Sequence, residues 1–141
     1  MPTAFSPQLL GRTEKALNAI LARELAGTGL DEARWIALTL TMQAGGDLAR
    51  PDLAGRLAGA LRVGDAEAEA QVDALAATRL VHADGARVRA TEAGRELHTR
   101  IRTDVSAITR RLWGDVPAGD LEAAGRVLSD ILVRADAELA R

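Results

Sequence analysis

The segment LVHADGARVRA, residues 80–90, is the part of the chain that most limits the fold. Apolar and polar residues alternate along it, and Asp84-Gly85 stands at its centre. An Asp-Gly pair between two alternating runs is a strong signal for a β-hairpin. Apolar residues elsewhere recur at helical spacing, so the sequence predicts one hairpin inserted into a helical chain.

Four helices are predicted before the hairpin. The first covers residues 7 to about 26, and the second begins at the N-cap candidate Asp31 and ends at the AGGD turn. A short helix runs from Pro51, which suits a first helical position, to about residue 61. The fourth begins after a turn at residues 63 and 64. Its predicted inward-facing side chains are Ala68, Val72 and Leu75.

Two longer helices are predicted after the hairpin. Thr91 is a candidate cap for the first, and the segment WGDVPAGD separates the two. Apolar residues of the last helix form two sets with a strict seven-residue period, which is typical of a seam between helices. These sets are Leu121, Leu128 and Ala135, and Gly125, Leu132 and Leu139. End helices this apolar exceed the needs of a small core, so we expect an isologous dimer.

Composition narrows the classes of function. The 141 residues suit one domain, and 48% of them are hydrophobic. The chain has no cysteine, which removes disulfides and thiol catalysis. A net charge of −2 gives no general attraction to nucleic acid, so DNA binding would need a local basic patch. We see no signal peptide and no apolar run of membrane-spanning length, and therefore expect a cytoplasmic protein.

The order of these elements, helix, helix, short helix, helix and hairpin between long end helices, resembles the MarR family of dimeric bacterial regulators. The resemblance covers about residues 9–139. Four segments carry it: LDEARWIALTL (30–40), RPDLAGRLAGAL (50–61), VDALAATRLV (72–81) and ATEAGRELHTRI (90–101). Arg79 stands where the third motif usually has glycine, and Ala90 where the fourth usually has leucine.

The resemblance implies a mostly helical fold with a small β-hairpin wing, a winged helix-turn-helix with long N- and C-terminal dimerisation helices. It implies one domain over residues 1–141, with dimerisation helices at about 7–30 and 95–141 and the winged helix at about 31–94. It also implies a homodimeric transcriptional regulator that binds double-stranded DNA at a pseudo-palindromic operator. A small-molecule effector would change the spacing of the two DNA-binding units.

Two features depart from the family pattern. The wing segment is several residues shorter than usual and lacks the Asp-x-Arg pair that the family carries between its strands. The recognition helix usually has Ser, Thr and Arg in its first two turns. In this chain those positions hold Ala66, Glu67, Ala68, Glu69 and Ala70. The fold is therefore expected to transfer from the family, whereas the DNA contacts do not transfer residue by residue.

The candidate DNA contacts fall into three groups. The basic residues near the first motif helix, Arg50, Arg56 and Arg62, are candidates for phosphate contacts. The basic residues of the second wing strand, Arg87 and Arg89, are candidates to enter a minor groove or to bind a phosphate. Glu67 or Glu69 would accept a hydrogen bond from a cytosine amino group, and Gln71 would pair with adenine. The alternatives are carboxylates that complement the helix dipole, and arginines on a solvated face.

Two further sets of residues follow from the resemblance. The family binds effectors between the second helix, the long helix and the dimer interface. Candidates there are Trp35, Leu38, Met42, His98 and Ile101, although for Trp35 a core or interface position is favoured over an effector contact. Candidates for the dimer interface are Leu10, Leu17, Leu112, Trp113, Leu121, Leu128, Leu132 and Leu139.

We expect neither catalysis nor a cofactor. None of the serines lies in a nucleophile-elbow context, and the chain has no glycine-rich phosphate loop. His82 and Asp84 would give a metal only two ligands, fewer than the four of a structural zinc site. The alternative function is a winged-helix scaffold that has lost strong DNA binding. Its acidic helix would then face a basic protein partner, or a small molecule would be its ligand.

Overall fold

The computed structural model describes residues 4–141 and confirms the predicted fold class, mostly helical with a small antiparallel sheet. Its helices are α1 (Pro7–Leu25), α2 (Glu32–Gln43), α3 (Arg50–Leu61), α4 (Asp65–Ala77), α5 (Glu92–Trp113) and α6 (Ala118–Leu139). Its strands are β1 (Asp47–Ala49), β2 (Val81–Ala83) and β3 (Arg87–Ala90).

Local signals set both ends of α2 and the start of α3. Asp31 is the N-cap of α2, as predicted, because its Oδ1 accepts a hydrogen bond from the Arg34 amide at 2.9 Å. Gly45 and Gly46 follow α2 with φ values of +81° and +86°, a left-handed conformation that glycine adopts without steric cost. The prediction for Pro51 was wrong by one residue, since α3 begins at Arg50.

The hairpin is confirmed and belongs to a three-stranded sheet with strand order β1-β3-β2. β1 pairs antiparallel with β3 and places Leu48 opposite Val88, both of which are buried. The sequence analysis missed β1 because three residues are too short to show an alternating pattern. β3 supplies its hydrogen-bonding partners from about 40 residues further along the chain.

The described chain forms two compact units, one ending at Val105 and the other running from Ser106 to Arg141. The first holds the winged helix, and its core contains side chains from α1 to α5 and from the sheet. The largest fully buried ones are Leu25, Leu38, Leu53, Leu57, Val72, Leu75 and Val88. As predicted, Ala68, Val72 and Leu75 form the buried face of α4. The organisation as one domain stays a prediction.

A junction between β2 and α5 explains the Thr-x-x-Gly pattern at residues 91–94. Thr91 Oγ1 accepts a hydrogen bond from the Gly94 amide at 3.1 Å and so caps α5, as predicted. The Thr91 amide donates to the Leu80 carbonyl at 3.0 Å. A Cβ atom on Gly94 would collide with that same carbonyl group, so only glycine fits there. Arg79, beside the junction, has φ +64° where the resembled family has glycine.

Candidate DNA-binding surface

The acidic helix α4 holds an arginine from the preceding helix. Arg50 Nε donates to Glu69 Oε2 at 2.9 Å, and Arg50 Nη2 donates to Asp73 Oδ1 at 2.7 Å. Only 16% of the Arg50 side chain is exposed. Hydrogen bonds to Asp73 and then to Glu69 raise the pKa of Arg50 above its ordinary value. Arg50 therefore pairs with two carboxylates of α4, but its single positive charge offsets only one of their two negative charges.

The same arginine also reaches the turn of the wing. Arg50 Nη1 donates to the Asp84 carbonyl oxygen at 3.3 Å, and the Arg50 amide donates to the Ala86 carbonyl at 2.9 Å. Asp84 Oδ1 accepts from the amides of Ala86 and Arg87, which lowers the pKa of Asp84. The start of α3, the outer face of α4 and the wing turn thus meet at one guanidinium.

The first turns of α4 carry the other two carboxylates. Asp65 is exposed and makes no ion pair within residues 4–141. Glu67 is exposed, and its Oε1 accepts a hydrogen bond from Gln71 Nε2 at 3.1 Å. Gln71 Oε1 is buried and has no partner among the described residues. Both carboxylates complement the positive end of the helix dipole, a favourable contribution of about 0.3–1 kcal/mol for each.

The wing arginines lie on one exposed face of β3. Arg87 and Arg89 point away from the core, whereas Val88 between them is buried. Asp47 on the neighbouring strand contacts both, with Oδ1 2.8 Å from Arg87 Nε and Oδ2 3.3 Å from Arg89 Nε. One carboxylate faces two guanidinium groups, so these three side chains together carry a net positive charge.

The other two candidate arginines lie on α3 and at its end. Arg56 is exposed and makes no ion pair within the part of the chain that the structure describes. Arg62 is exposed and follows α3 in a left-handed conformation with φ +56°. Among the eight candidate DNA contacts, the structure brings Arg50 to Glu69 and Glu67 to Gln71. It pairs Arg87 and Arg89 through Asp47, which sequence reasoning missed.

Two of the candidate effector residues, Trp35 of α2 and His98 of α5, contact each other directly. The rings of Trp35 and His98 stack with their centroids 4.9 Å apart and their planes 23° apart. Leu38 and Ile101 are fully enclosed in the core, and Met42 is half-buried against it. His98 is 5% exposed, and its Nε2 has no partner among the described residues. Burial, and secondarily the nearby Arg102, lowers the pKa of His98.

A separate cleft of about 700 Å³ lies between α1 and the start of α2. Lys15, Leu21, Leu25, Leu30 and Arg34 are among the residues that line it. None of the five candidate effector residues lines this cleft.

The candidate dimer residues remain largely exposed. Leu10 is half-buried, and the other seven side chains are between 38% and 74% exposed. Val127 and Val133 of α6 add exposed apolar surface that the sequence analysis did not single out.

Among residues 4–141, no helix is long and apolar enough to span a membrane. Within the same residues, no group of three or more histidine, aspartate or glutamate side chains could hold a metal ion.

No protein-family model matches the sequence, and no curated protein sequence matches it. Solved structures do match. A MarR family transcriptional regulator from Silicibacter pomeroyi is 23% identical, with a TM-score of 0.74, over 94% of this chain and 90% of that one. CouR from Rhodococcus jostii, bound to p-coumaroyl-CoA, is 22% identical with a TM-score of 0.71, over 87% and 88% of the two chains.

A third solved structure is BpsR from Bordetella bronchiseptica, whose DNA binding is regulated by 6-hydroxynicotinic acid. It is 20% identical with a TM-score of 0.66, over 88% of this chain and 96% of that chain. At these identities the likeness is one of fold, and it extends over most of the chain in each case. The resemblance inferred from the sequence is thereby confirmed: this chain has the winged-helix fold of MarR family transcriptional regulators.

Proposed function

We propose that this protein is a homodimeric DNA-binding transcriptional regulator. The observation that carries the proposal is the winged helix itself, in which α3, α4 and the β2–β3 wing follow in order around one core. In such a motif, the second helix enters the major groove. The wing here carries Arg87 and Arg89 on an exposed face, where guanidinium groups can contact phosphates or enter a minor groove.

The Arg50 contacts reconcile this function with an acidic recognition helix. Arg50 pairs with Glu69 and Asp73 and offsets one of their two negative charges, so the carboxylates of α4 without a cationic partner within residues 4–141 are Asp65 and Glu67. Glu67 is exposed and is the candidate to read cytosine. Gln71 is the candidate to read adenine, but its Oε1 is buried and its Nε2 binds Glu67, so its side chain would have to turn outward to do so. The affinity for DNA comes from Arg56 and from the wing arginines, Arg87 and Arg89. The result is a weak binder with strong sequence preference.

Exposed apolar surface on α6 supports the homodimer. Leu128 and Leu132 are 47% and 54% exposed, and Val133 and Leu139 are more exposed still. A single chain gains nothing from leaving such a surface in water, whereas an isologous interface buries it twice. Two winged helices related by a two-fold axis would bind half-sites about one helical turn, roughly 34 Å, apart. Replacing Leu128 and Leu132 with glutamate should give monomers in analytical ultracentrifugation.

A small-molecule effector is part of the proposal. CouR is bound to p-coumaroyl-CoA and BpsR responds to 6-hydroxynicotinic acid, so structures of this fold do bind small molecules. In this chain, the stacked Trp35 and His98 are the candidate contact site, because His98 Nε2 is a buried polar atom without a described partner. Quenching of tryptophan fluorescence would report on such binding, and a Trp35→Phe variant would identify the residue responsible.

The second candidate function is a protein-interaction or ligand-binding protein on the same scaffold. The exposed Asp65 and Glu67, which have no cationic partner among the described residues, favour it. A basic protein segment would then take the place of DNA on α4.

Salt-dependent DNA binding separates the two candidates. We would titrate genomic fragments, including the promoter of the gene itself, with purified protein at two salt concentrations and read fluorescence anisotropy. The regulator should bind selectively and lose affinity as salt rises. Replacing both Arg87 and Arg89 with alanine should weaken binding and reduce the slope of log K against log salt by roughly 1–2.

Arg23→Ala is the matched control, because Arg23 is an exposed arginine of α1, outside the helix-turn-helix and wing. It should leave both the affinity and the salt slope unchanged. If no fragment binds the wild-type protein even at low salt, DNA regulation is excluded and the protein-interaction function is favoured.

A further inference from the structure

We infer that Arg50 is a positioning residue, which fixes the recognition helix α4 to the wing through Glu69 and Asp73, rather than a phosphate contact. The inference rests on the proposed DNA-binding function and deepens it. Glu69 and Asp73 would then favour DNA binding, because they hold Arg50 in place, although their negative charge repels DNA. The Arg50 cluster is defined here as Arg50, Glu69, Asp73 and the Asp84 carbonyl.

Four of the five N–H donors of the Arg50 guanidinium are already engaged. A guanidinium has five N–H groups, and bidentate binding of a phosphate needs two that lie side by side. In the structure, Nε binds Glu69, Nη2 binds both Glu69 and Asp73, and Nη1 binds the Asp84 carbonyl. With 16% of the side chain exposed, no pair of adjacent donors is left for DNA. Arg50 therefore differs from Arg56, which is exposed and unpaired within residues 4–141.

The cluster joins parts of the surface that are distant in sequence. Glu69 and Asp73 lie 19 and 23 residues after Arg50, and Asp84 lies 34 residues after it. Asp84 in turn holds the amide of Arg87, the first wing arginine, at 2.8 Å. The contacts thus run from α4 through Arg50 to the residue of the wing that is proposed to contact DNA. The cluster sets the distance between the groove-reading helix and that arginine.

This role predicts an effect opposite in sign to that of simple electrostatics. Removing a carboxylate from a DNA-facing helix removes repulsion from phosphates and should by itself strengthen binding. Removing one that holds Arg50 also releases the wing from α4, so binding should weaken. Asp73 and Asp65 allow the comparison, because both are exposed aspartates of α4 but only Asp73 contacts Arg50.

The test compares DNA affinities of Arg50→Ala, Asp73→Ala and the matched control Asp65→Ala at several salt concentrations. We expect Asp65→Ala to bind more tightly, Asp73→Ala to bind on the order of threefold more weakly, and Arg50→Ala on the order of tenfold more weakly. The salt slope of Arg50→Ala should not fall, since no phosphate contact is lost. A slope lower by about 0.9 in Arg50→Ala, or an Asp73→Ala variant that binds as tightly as Asp65→Ala, would overturn the inference.

A readout without DNA keeps the inference testable if the proposed function fails. We would measure amide hydrogen exchange at residues 84–87 in the free protein. Arg50→Ala and Asp73→Ala should accelerate exchange there, and Asp65→Ala should not. Asp73 is 71% exposed, so its removal leaves the core intact and the variant folded. Unchanged exchange in Arg50→Ala would show that the cluster does not hold the wing, whatever the outcome with DNA.

Discussion

Gly94→Ala tests the junction between the wing and α5. The new Cβ would lie 2.9 Å from the carbonyl carbon of Leu80 and closer still to its oxygen. That oxygen also accepts hydrogen bonds from the Thr91 amide and the Thr91 hydroxyl, so it cannot turn aside without breaking contacts that anchor the start of α5. Overpacking of this kind costs about 1–3 kcal/mol, and a backbone neighbour places the cost toward the upper end.

Two contributions of opposite sign determine the expected change in the free energy of unfolding of Gly94→Ala. Alanine in place of a helical glycine lowers the entropy of the unfolded chain and contributes about 0.5–1 kcal/mol of stability. When this gain is subtracted from the free-energy cost of the collision, Gly94→Ala is expected to be about 2 kcal/mol less stable than the wild type. Gly59→Ala in α3 is the matched control, because its Cβ would meet no atom within 4 Å. It should be more stable than the wild type by about 0.5–1 kcal/mol.

Urea unfolding followed by circular dichroism would measure both variants. All samples should share one protein concentration, because the unfolding of a dimer depends on concentration. The two variants should differ by about 2–3 kcal/mol, with Gly94→Ala the weaker. If Gly94→Ala is as stable as Gly59→Ala, the close approach of α5 to the Leu80 carbonyl is not a constraint and the reasoning is refuted.

Three further predictions concern single residues. Arg79→Gly should be about 1 kcal/mol more stable than Arg79→Ala in thermal unfolding, because only glycine relieves the left-handed φ; equal stability would contradict this. His98 has a lowered pKa, so the unfolded chain binds its proton more readily. The free energy of unfolding should therefore fall as pH drops below about 6.5, and His98→Gln should reduce that loss; an unchanged pH profile would contradict it. Asp47→Asn should free the wing arginines and raise both DNA affinity and the salt slope, whereas weaker binding would show that Asp47 orients them.

Features that rest on local chemistry could be predicted from the sequence. The Asp-Gly turn, the Asp31 cap and the Thr91 cap each act within a few residues, and each appears in the structure where the sequence placed it. The buried face of α4 follows in the same way from the spacing of Ala68 and Val72.

Features that depend on distant partners could not be predicted. β1 is three residues long and exists because β3 pairs with it. The contacts of Arg50 with α4 join residues 19 and 23 positions apart, and no periodic pattern encodes such a distance. Sequence reasoning therefore made Arg50 a candidate phosphate contact and Glu69, as the alternative to Glu67, a candidate base contact. Those roles remain untested, whereas the structure shows that the two side chains bind each other.

The central claim is that this winged helix reads DNA as a dimer in spite of its acidic recognition helix. Selection of bound duplexes from a pool with a randomised centre, at low salt and with purified wild-type protein, tests this claim most directly. The account predicts enrichment of a two-fold symmetric sequence whose half-sites lie about one helical turn, roughly 10 base pairs, apart. A pool that stays random after repeated rounds would contradict it.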